Sequence, residues 1–206
     1  MKQIFLTSSA DQVLPDIVKN IPQTPTSYNL AFITTASEVE TGDHWWITAD
    51  KNKLVKLGFS VDEFSITGMT QNSIEDRLKD KNGIFVCGGN TFYLLDQVIK
   101  TGFDQILQTK INEDILYIGS SAGSMIIGKR IDLVSTIDDR SKAPDLKSNG
   151  LGIIDIALLP HWGSSSFKQE YNKGFDSMYV KDVKIIPISD NQYLFVQGNK
   201  FQLIQV

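Results

Sequence analysis

Gly83-Ile84-Phe85-Val86-Cys87 is an unbroken apolar run that stops abruptly at Gly88-Gly89-Asn90. A strand without polar alternation has to be buried on both faces, as a central strand is in a parallel sheet covered by helices. Similar runs recur at Ile4-Phe5-Leu6, Leu30 to Thr34, Phe59 to Ile66, Ile115 to Ile118 and Ile153 to Leu159. Helical patterns lie between them: Asp11 to Ile21 interrupted near Pro15, Trp45 to Leu57, Ser73 to Lys79, Thr91 to Lys100, Phe103 to Asn112 and Ser166 to Val180. In the second of these, Trp46, Ile47, Leu54, Val55 and Leu57 form an apolar stripe on one helical face. The alternation predicts a three-layer α/β fold, with a mostly parallel sheet and helices on both faces. Lys184 to Ile188, Tyr193 to Val196 and Phe201 to Val206, joined at Asp190-Asn191 and Gly198-Asn199, read as an antiparallel meander closing one edge with a hairpin. At 206 residues, a single domain spanning 1–206 is expected.

The strand ending at Ile118 runs into Gly119-Ser120-Ser121-Ala122-Gly123-Ser124 and then an apolar, helix-like segment. Gly-x-Ser-x-Gly between a strand and a helix is the pattern of a nucleophilic serine on a strained turn, its hydroxyl exposed, and Ser121 holds that position. Side chains at the flanking glycines would collide with neighbouring backbone. Small-residue turns of this kind also serve purely for packing, so the serine needs partners elsewhere in the chain.

A serine hydroxyl needs a base, and a histidine held by an acid is the usual one. The chain has two histidines. His44 lies in the polar turn Thr41-Gly42-Asp43-His44-Trp45, which suits a helix start. His161 follows an apolar strand directly, in Leu158-Leu159-Pro160-His161, and strand ends are where open α/β sheets place their ligands. Asp190 closes Ile185-Ile186-Pro187-Ile188-Ser189 and is the best acid, with Asp138, Asp139 and Asp155 as rivals and a turn-forming role as the plain alternative. The order Ser, His, Asp differs from that of α/β-hydrolases. Backbone N–H groups at Gly89 and Ala122 are candidate donors to an oxyanion. Cys87 reads as a buried core residue. The polar stretch Asp132 to Asn149 is either an active-site loop or a linker.

Other functions fit less well. Gly123 to Lys129 has the spacing of a phosphate-binding loop, but Arg130 stands where a magnesium-binding Ser or Thr belongs, and Met125-Ile126-Ile127 is apolar and helical. A net charge of -4 without a long basic run offers nothing to nucleic acid or to an anionic membrane. No apolar run reaches membrane-spanning or signal-peptide length, so a cytoplasmic location is expected. A single cysteine excludes an internal disulfide, and with two histidines it disfavours a zinc site of the usual kind.

Gly88-Gly89-Asn90-Thr91-Phe92, Gly119-x-Ser121-Ala122-Gly123-Ser124, Pro160-His161 and Asp190, in this order over most of the chain, resemble the serine peptidases that include aspartyl dipeptidase (dipeptidase E) and cyanophycinase. The resemblance implies a class I glutamine amidotransferase-like, flavodoxin-like fold, with Ser121 as nucleophile, His161 as base and Asp190 as orienting acid. It further implies acyl-enzyme hydrolysis of short peptides without metal or organic cofactor. A non-catalytic binding or regulatory member of the fold is the alternative, and the oligomeric state, monomer or homodimer, stays open. Two positions depart from the family pattern. Its acid is commonly a glutamate in a Glu-Gly pair, where Asp190-Asn191 stands here. The dipeptidase holds an acidic substrate side chain with an arginine soon after the histidine, whereas Trp162 to Tyr179 contains Lys168 and Lys173 and no arginine. Lysine brings charge without the bidentate fork.

Overall fold

The computed structural model describes residues 3–147, 149–178, 183–198 and 200–206. The first half alternates as the apolar pattern predicts: β1 (Gln3–Thr7), α1 (Ala10–Ile17), β2 (Asn29–Ile33), α2 (Trp45–Leu57), β3 (Ser60–Phe64), α3 (Gln71–Leu78) and β4 (Gly83–Val86). Two helices follow, α4 (Thr91–Lys100) and α5 (Phe103–Asn112), before β5 (Leu116–Ser120) and the single turn α6 (Ala122–Met125). The remainder comprises β6 (Ala157–Leu159), α7 (Lys168–Met178), β7 (Ile185–Pro187), β8 (Gln192–Gln197) and β9 (Lys200–Gln205).

Seven strands form one sheet in the order β3-β2-β4-β5-β1-β8-β9. The first five are parallel, and β8 and β9 continue the sheet as an antiparallel hairpin against β1. Along β1, Ile4 and Leu6 face the core shared with α3, α4, α5 and α6, whereas Phe5 faces the core beneath α1 and α2. This period of two puts an apolar layer on each face and produces the three-layer architecture expected.

Three local features differ from the sequence pattern. Helix α1 runs through Pro15 without a break, because Pro15 is exposed and the only bond it forgoes is to the carbonyl of Asp11, on the solvent side. The helix after the elbow is one turn long, and Ile126 and Ile127 are buried in the bend that follows it. Finally, β7 does not join the C-terminal meander. It pairs in parallel with β6 in a separate two-stranded ribbon, with Leu159 opposite Pro187. Tyr179, Val180 and Asn199, which fall in the expected last helix and last turn, lie outside the described residues.

Register sets the position of the site. Thr7 pairs with Ser120, and Val86 with Gly119, so β1, β4 and β5 end level with one another. Ser8, Gly88 and Ser121 therefore leave the sheet side by side at its carboxyl edge.

Candidate active site

Ser121 has φ +48° and ψ −108°, a conformation that non-glycine residues seldom adopt. The surrounding chain holds it there. A Cβ at Gly119 would lie 2.6 Å from the Gly123 carbonyl oxygen, and one at Gly123 would collide with the Val86 carbonyl. The Ser121 N–H donates to the Thr7 carbonyl at 3.0 Å. Ser124, fully buried, accepts from the Thr7 N–H at 2.8 Å and has the Gly119 and Thr7 carbonyls within reach of its hydroxyl at 2.6 and 2.7 Å. The Tyr117 hydroxyl donates to the Gly123 carbonyl at 2.6 Å. The turn is thus tied to both flanking strands.

The β6–β7 ribbon delivers the partners. The Ile188 N–H donates to the Leu159 carbonyl at 2.9 Å and the Trp162 N–H to the Ile188 carbonyl at 3.0 Å, which extends the pairing past both strand ends and sets His161 beside Asp190. His161 Nε2 lies 3.0 Å from Ser121 Oγ, and His161 Nδ1 lies 2.7 Å from Asp190 Oδ1. The three residues selected in the sequence meet in one chain of hydrogen-bonding groups. The bond to His161 and, next, the Ser8 hydroxyl bond hold the Asp190 carboxyl below its ordinary pKa, against the opposing effect of burial. His161 itself has φ +57°, and its ring packs on Phe167 with centroids 4.9 Å apart.

Gly89 adopts φ +139°, and a Cβ there would run into the Ala36 carbonyl, so glycine is required on both counts. Among the described residues, no hydrogen-bond acceptor meets the N–H of Gly89 or of Ala122. A cavity of about 300 Å³ opens over Ser121 and His161, lined also by Ser8, Gly88 and Gly89. Val134, Ile137 and Asp138 line it too, so the first part of the stretch after Asp132 borders the cavity.

The family model for peptidase family S51 matches residues 4–204. The chain belongs to peptidase family S51. An uncharacterized peptidase of Listeria monocytogenes is 34% identical to it over 97% of each chain. One from Pasteurella multocida is 32% identical, covering all of this chain and 98% of its own. A crystal structure from Listeria monocytogenes EGD-e, provisionally named a peptidase E protein, superposes with a TM-score of 0.91 at 32% identity, covering 100% of this chain and 99% of that one. The resemblance read from the motifs is borne out at the level of family and of fold.

Within this S51 chain the rival readings find other places. His44 immediately precedes α2, and its Nε2 lies 3.2 Å from the Glu40 carbonyl. Asp138 accepts from the Thr91 N–H at 2.8 Å at the start of α4, and burial pushes its carboxyl up to about 6. Asp139 caps the Ser141 N–H, and Asp155 pairs with Lys129. That ion pair, the Lys129 N–H bond to the Ile156 carbonyl and the collision at Gly123 leave no cradle for phosphate between Gly123 and Lys129. Cys87 is wholly buried, and burial pushes its thiol well above its ordinary pKa. Among the described residues, no group of three or more histidine, cysteine, aspartate or glutamate side chains is placed to hold a metal ion, and no helix is long and apolar enough to cross a membrane.

Two residues of the site escaped the sequence reading. Ser8 Oγ accepts from the His161 N–H at 2.7 Å, donates to Asp190 Oδ1 at 2.6 Å and lies 3.0 Å from His161 Nδ1. Its signal was its place at the end of the first apolar strand, on the same sheet edge as the elbow. The second is Asp50 of α2, which lines the cavity and is only 2% exposed. Of the stripe expected on α2, Leu54 is buried and Ile47 and Leu57 pack against the same core, whereas Val55 is 55% exposed; Asp50 shares the inward face with Leu54.

Proposed function

We propose that the chain is a serine peptidase of short peptides working through Ser121, His161 and Asp190. The observation that carries this reading is the continuous relay from Ser121 Oγ through both nitrogens of His161 to Asp190, 3.0 and 2.7 Å, opening into a cavity. Ser121 Oγ attacks the scissile carbonyl while His161 Nε2 takes its proton. Asp190, kept ionised by its hydrogen bonds, holds the proton on Nδ1 so that Nε2 faces the serine as a base. The oxyanion is received by the free N–H groups of Gly89 and Ala122. Collapse of the tetrahedral intermediate breaks the C–N bond, and the leaving amine takes the proton from His161. Water, deprotonated by the same histidine, then releases the acyl group from Ser121.

The shorter carboxylate of Asp190 is served by its mounting. The ribbon brings the backbone of residue 190 beside that of His161, and Ser8 holds both, so an aspartate spans the gap. The test is Ser121→Ala against wild type, with a fluorophosphonate probe and a panel of dipeptides and tripeptides. Loss of labelling and of turnover together is expected. Labelling that persists in the variant refutes Ser121 as nucleophile, and a wild type that neither labels nor turns over any peptide refutes the peptidase reading in favour of a binding protein.

A further inference from the structure

Among the described residues, the charged side chains lining the cavity, His161 aside, are all acids, Asp11, Glu40, Asp50 and Asp138, with no lysine or arginine. Asp138 is engaged by the Thr91 N–H. Asp50 is different. Its Oδ1 accepts from the Asp11 N–H at 2.9 Å, but its Oδ2 is buried with no hydrogen-bond partner among the described residues. The Ser120 hydroxyl lies beside the carboxyl and works against the rise that burial causes. A buried carboxyl oxygen left without a donor is unfavourable, and beside a cavity a ligand is one source of the missing partner.

We infer that the end of the cavity formed by Asp50, Asp11 and Trp46 is a subsite for a cationic group of the substrate, an ammonium or guanidinium, so that the enzyme selects positively charged short peptides. The argument is geometric. Asp50 projects from the middle of α2 to the carboxyl edge beside Ser120, the residue immediately before the elbow serine, so a group held there is part of a substrate engaged at Ser121. A donor entering this end completes the coordination of Asp50 and meets the Asp11 carboxylate as well. Trp46 is fixed by its Nε1–H bond to the Gly88 carbonyl at 3.2 Å, and with Trp45 it gives the cavity an aromatic wall suited to the methylene stem behind a cationic head. Burial and the neighbouring Asp11 charge push Asp50 up to about 7, so a bound cation would also restore its ionised form. An acidic peptide side chain would face these carboxyl groups with no cation to balance it.

The inference rests on the peptidase reading, and two arms keep their failures apart. In the first, kcat/KM is measured on lysyl-alanine, norleucyl-alanine, Nα-acetyl-lysyl-alanine, Nα-acetyl-norleucyl-alanine and aspartyl-alanine, with wild type and Asp50→Asn. Wild type is expected to favour a cation-bearing peptide over Nα-acetyl-norleucyl-alanine by about tenfold or more, the scale of a charge-assisted hydrogen bond, and Asp50→Asn to remove most of that preference. Comparing norleucyl-alanine with Nα-acetyl-lysyl-alanine tells whether the cation is the terminal amine or the side chain. No preference in wild type, or the same preference in Asp50→Asn, overturns the inference. The second arm needs no turnover: calorimetric titration of wild type and Asp50→Asn with norleucinamide, Nα-acetyl-lysinamide and Nα-acetyl-norleucinamide. Saturable binding of a cationic amide at millimolar concentration, lost in Asp50→Asn, upholds the subsite even if no peptide is cleaved. Its absence in wild type overturns the subsite even if peptides are cleaved.

Discussion

Replacing Asp50 by asparagine should make the folded protein more stable at neutral pH, although it removes a charge from the reaction cavity. The carboxyl is pushed from an ordinary 3.8 up to about 7, chiefly by burial, and at 2% exposed it gains almost nothing from solvent screening. Unfolded chains lose this proton near the ordinary value while folded ones keep it, so between the two values the native state binds more protons and stability falls as pH rises. Three units at about 1.4 kcal/mol each give a total loss of about 4 kcal/mol, of which about 2 to 3 kcal/mol falls between about pH 5 and pH 8. Asparagine keeps an oxygen for the Asp11 N–H, turns its amide towards the Ser120 hydroxyl and does not titrate. Urea denaturation of wild type and Asp50→Asn at those two pH values should therefore show the variant's relative stability growing by that amount. In thermal scans this corresponds to about 5 to 10 °C, at the sensitivity usual for chains of this length. Parallel pH profiles for the two proteins would mean that Asp50 is not held protonated, and the reasoning from its burial would fail.

Two further substitutions probe the frame around the reacting groups. Ser8→Ala removes the hydroxyl shared by the His161 N–H and Asp190, and steady-state kinetics should show kcat reduced roughly 10- to 100-fold with KM changed much less, since the hydroxyl positions the relay without lining up a substrate. Ser124→Ala removes the side-chain tie between the elbow and β1 while leaving the Ser121 N–H bond to the Thr7 carbonyl. Chemical denaturation should register a loss of about 1 to 3 kcal/mol, because the Thr7 N–H is left buried without an acceptor.

The elbow was legible because its constraint is local. Glycine at 119 is demanded by backbone approach within the turn itself and glycine at 123 by the neighbouring strand β4, but both demands are written in five consecutive residues. His161 and Asp190 were legible by position, each following an apolar strand, although those strands belong to a small ribbon and not to the main sheet. Strands of three residues carry too little alternation to announce their partners. Ser8 was invisible because a serine after a strand is commonplace, and only the fold brings it to a residue 153 positions away. Asp50 was hidden for another reason. It lies one turn from both Trp46 and Leu54, on the apolar face of α2, and an acid at that spacing does not announce that a cavity lies opposite it. Sequence patterns report which residues are apolar; they do not report when a binding cavity takes the place of the core.

The separate β6–β7 ribbon divides the machinery into two bodies. Ser121 and the N–H groups of Gly89 and Ala122 sit at the edge of the main sheet, His161 and Asp190 follow the strands of the ribbon, and the Ser8 hydroxyl bonds to both His161 and Asp190. A shift of the ribbon would carry His161 and Asp190 together, altering the distance to Ser121 while leaving the distance between themselves intact. The distance from His161 to Ser121 therefore depends on how the ribbon packs against the elbow, where Leu158, Leu159 and Ile188 share one core with Ala122, Met125 and Ile126.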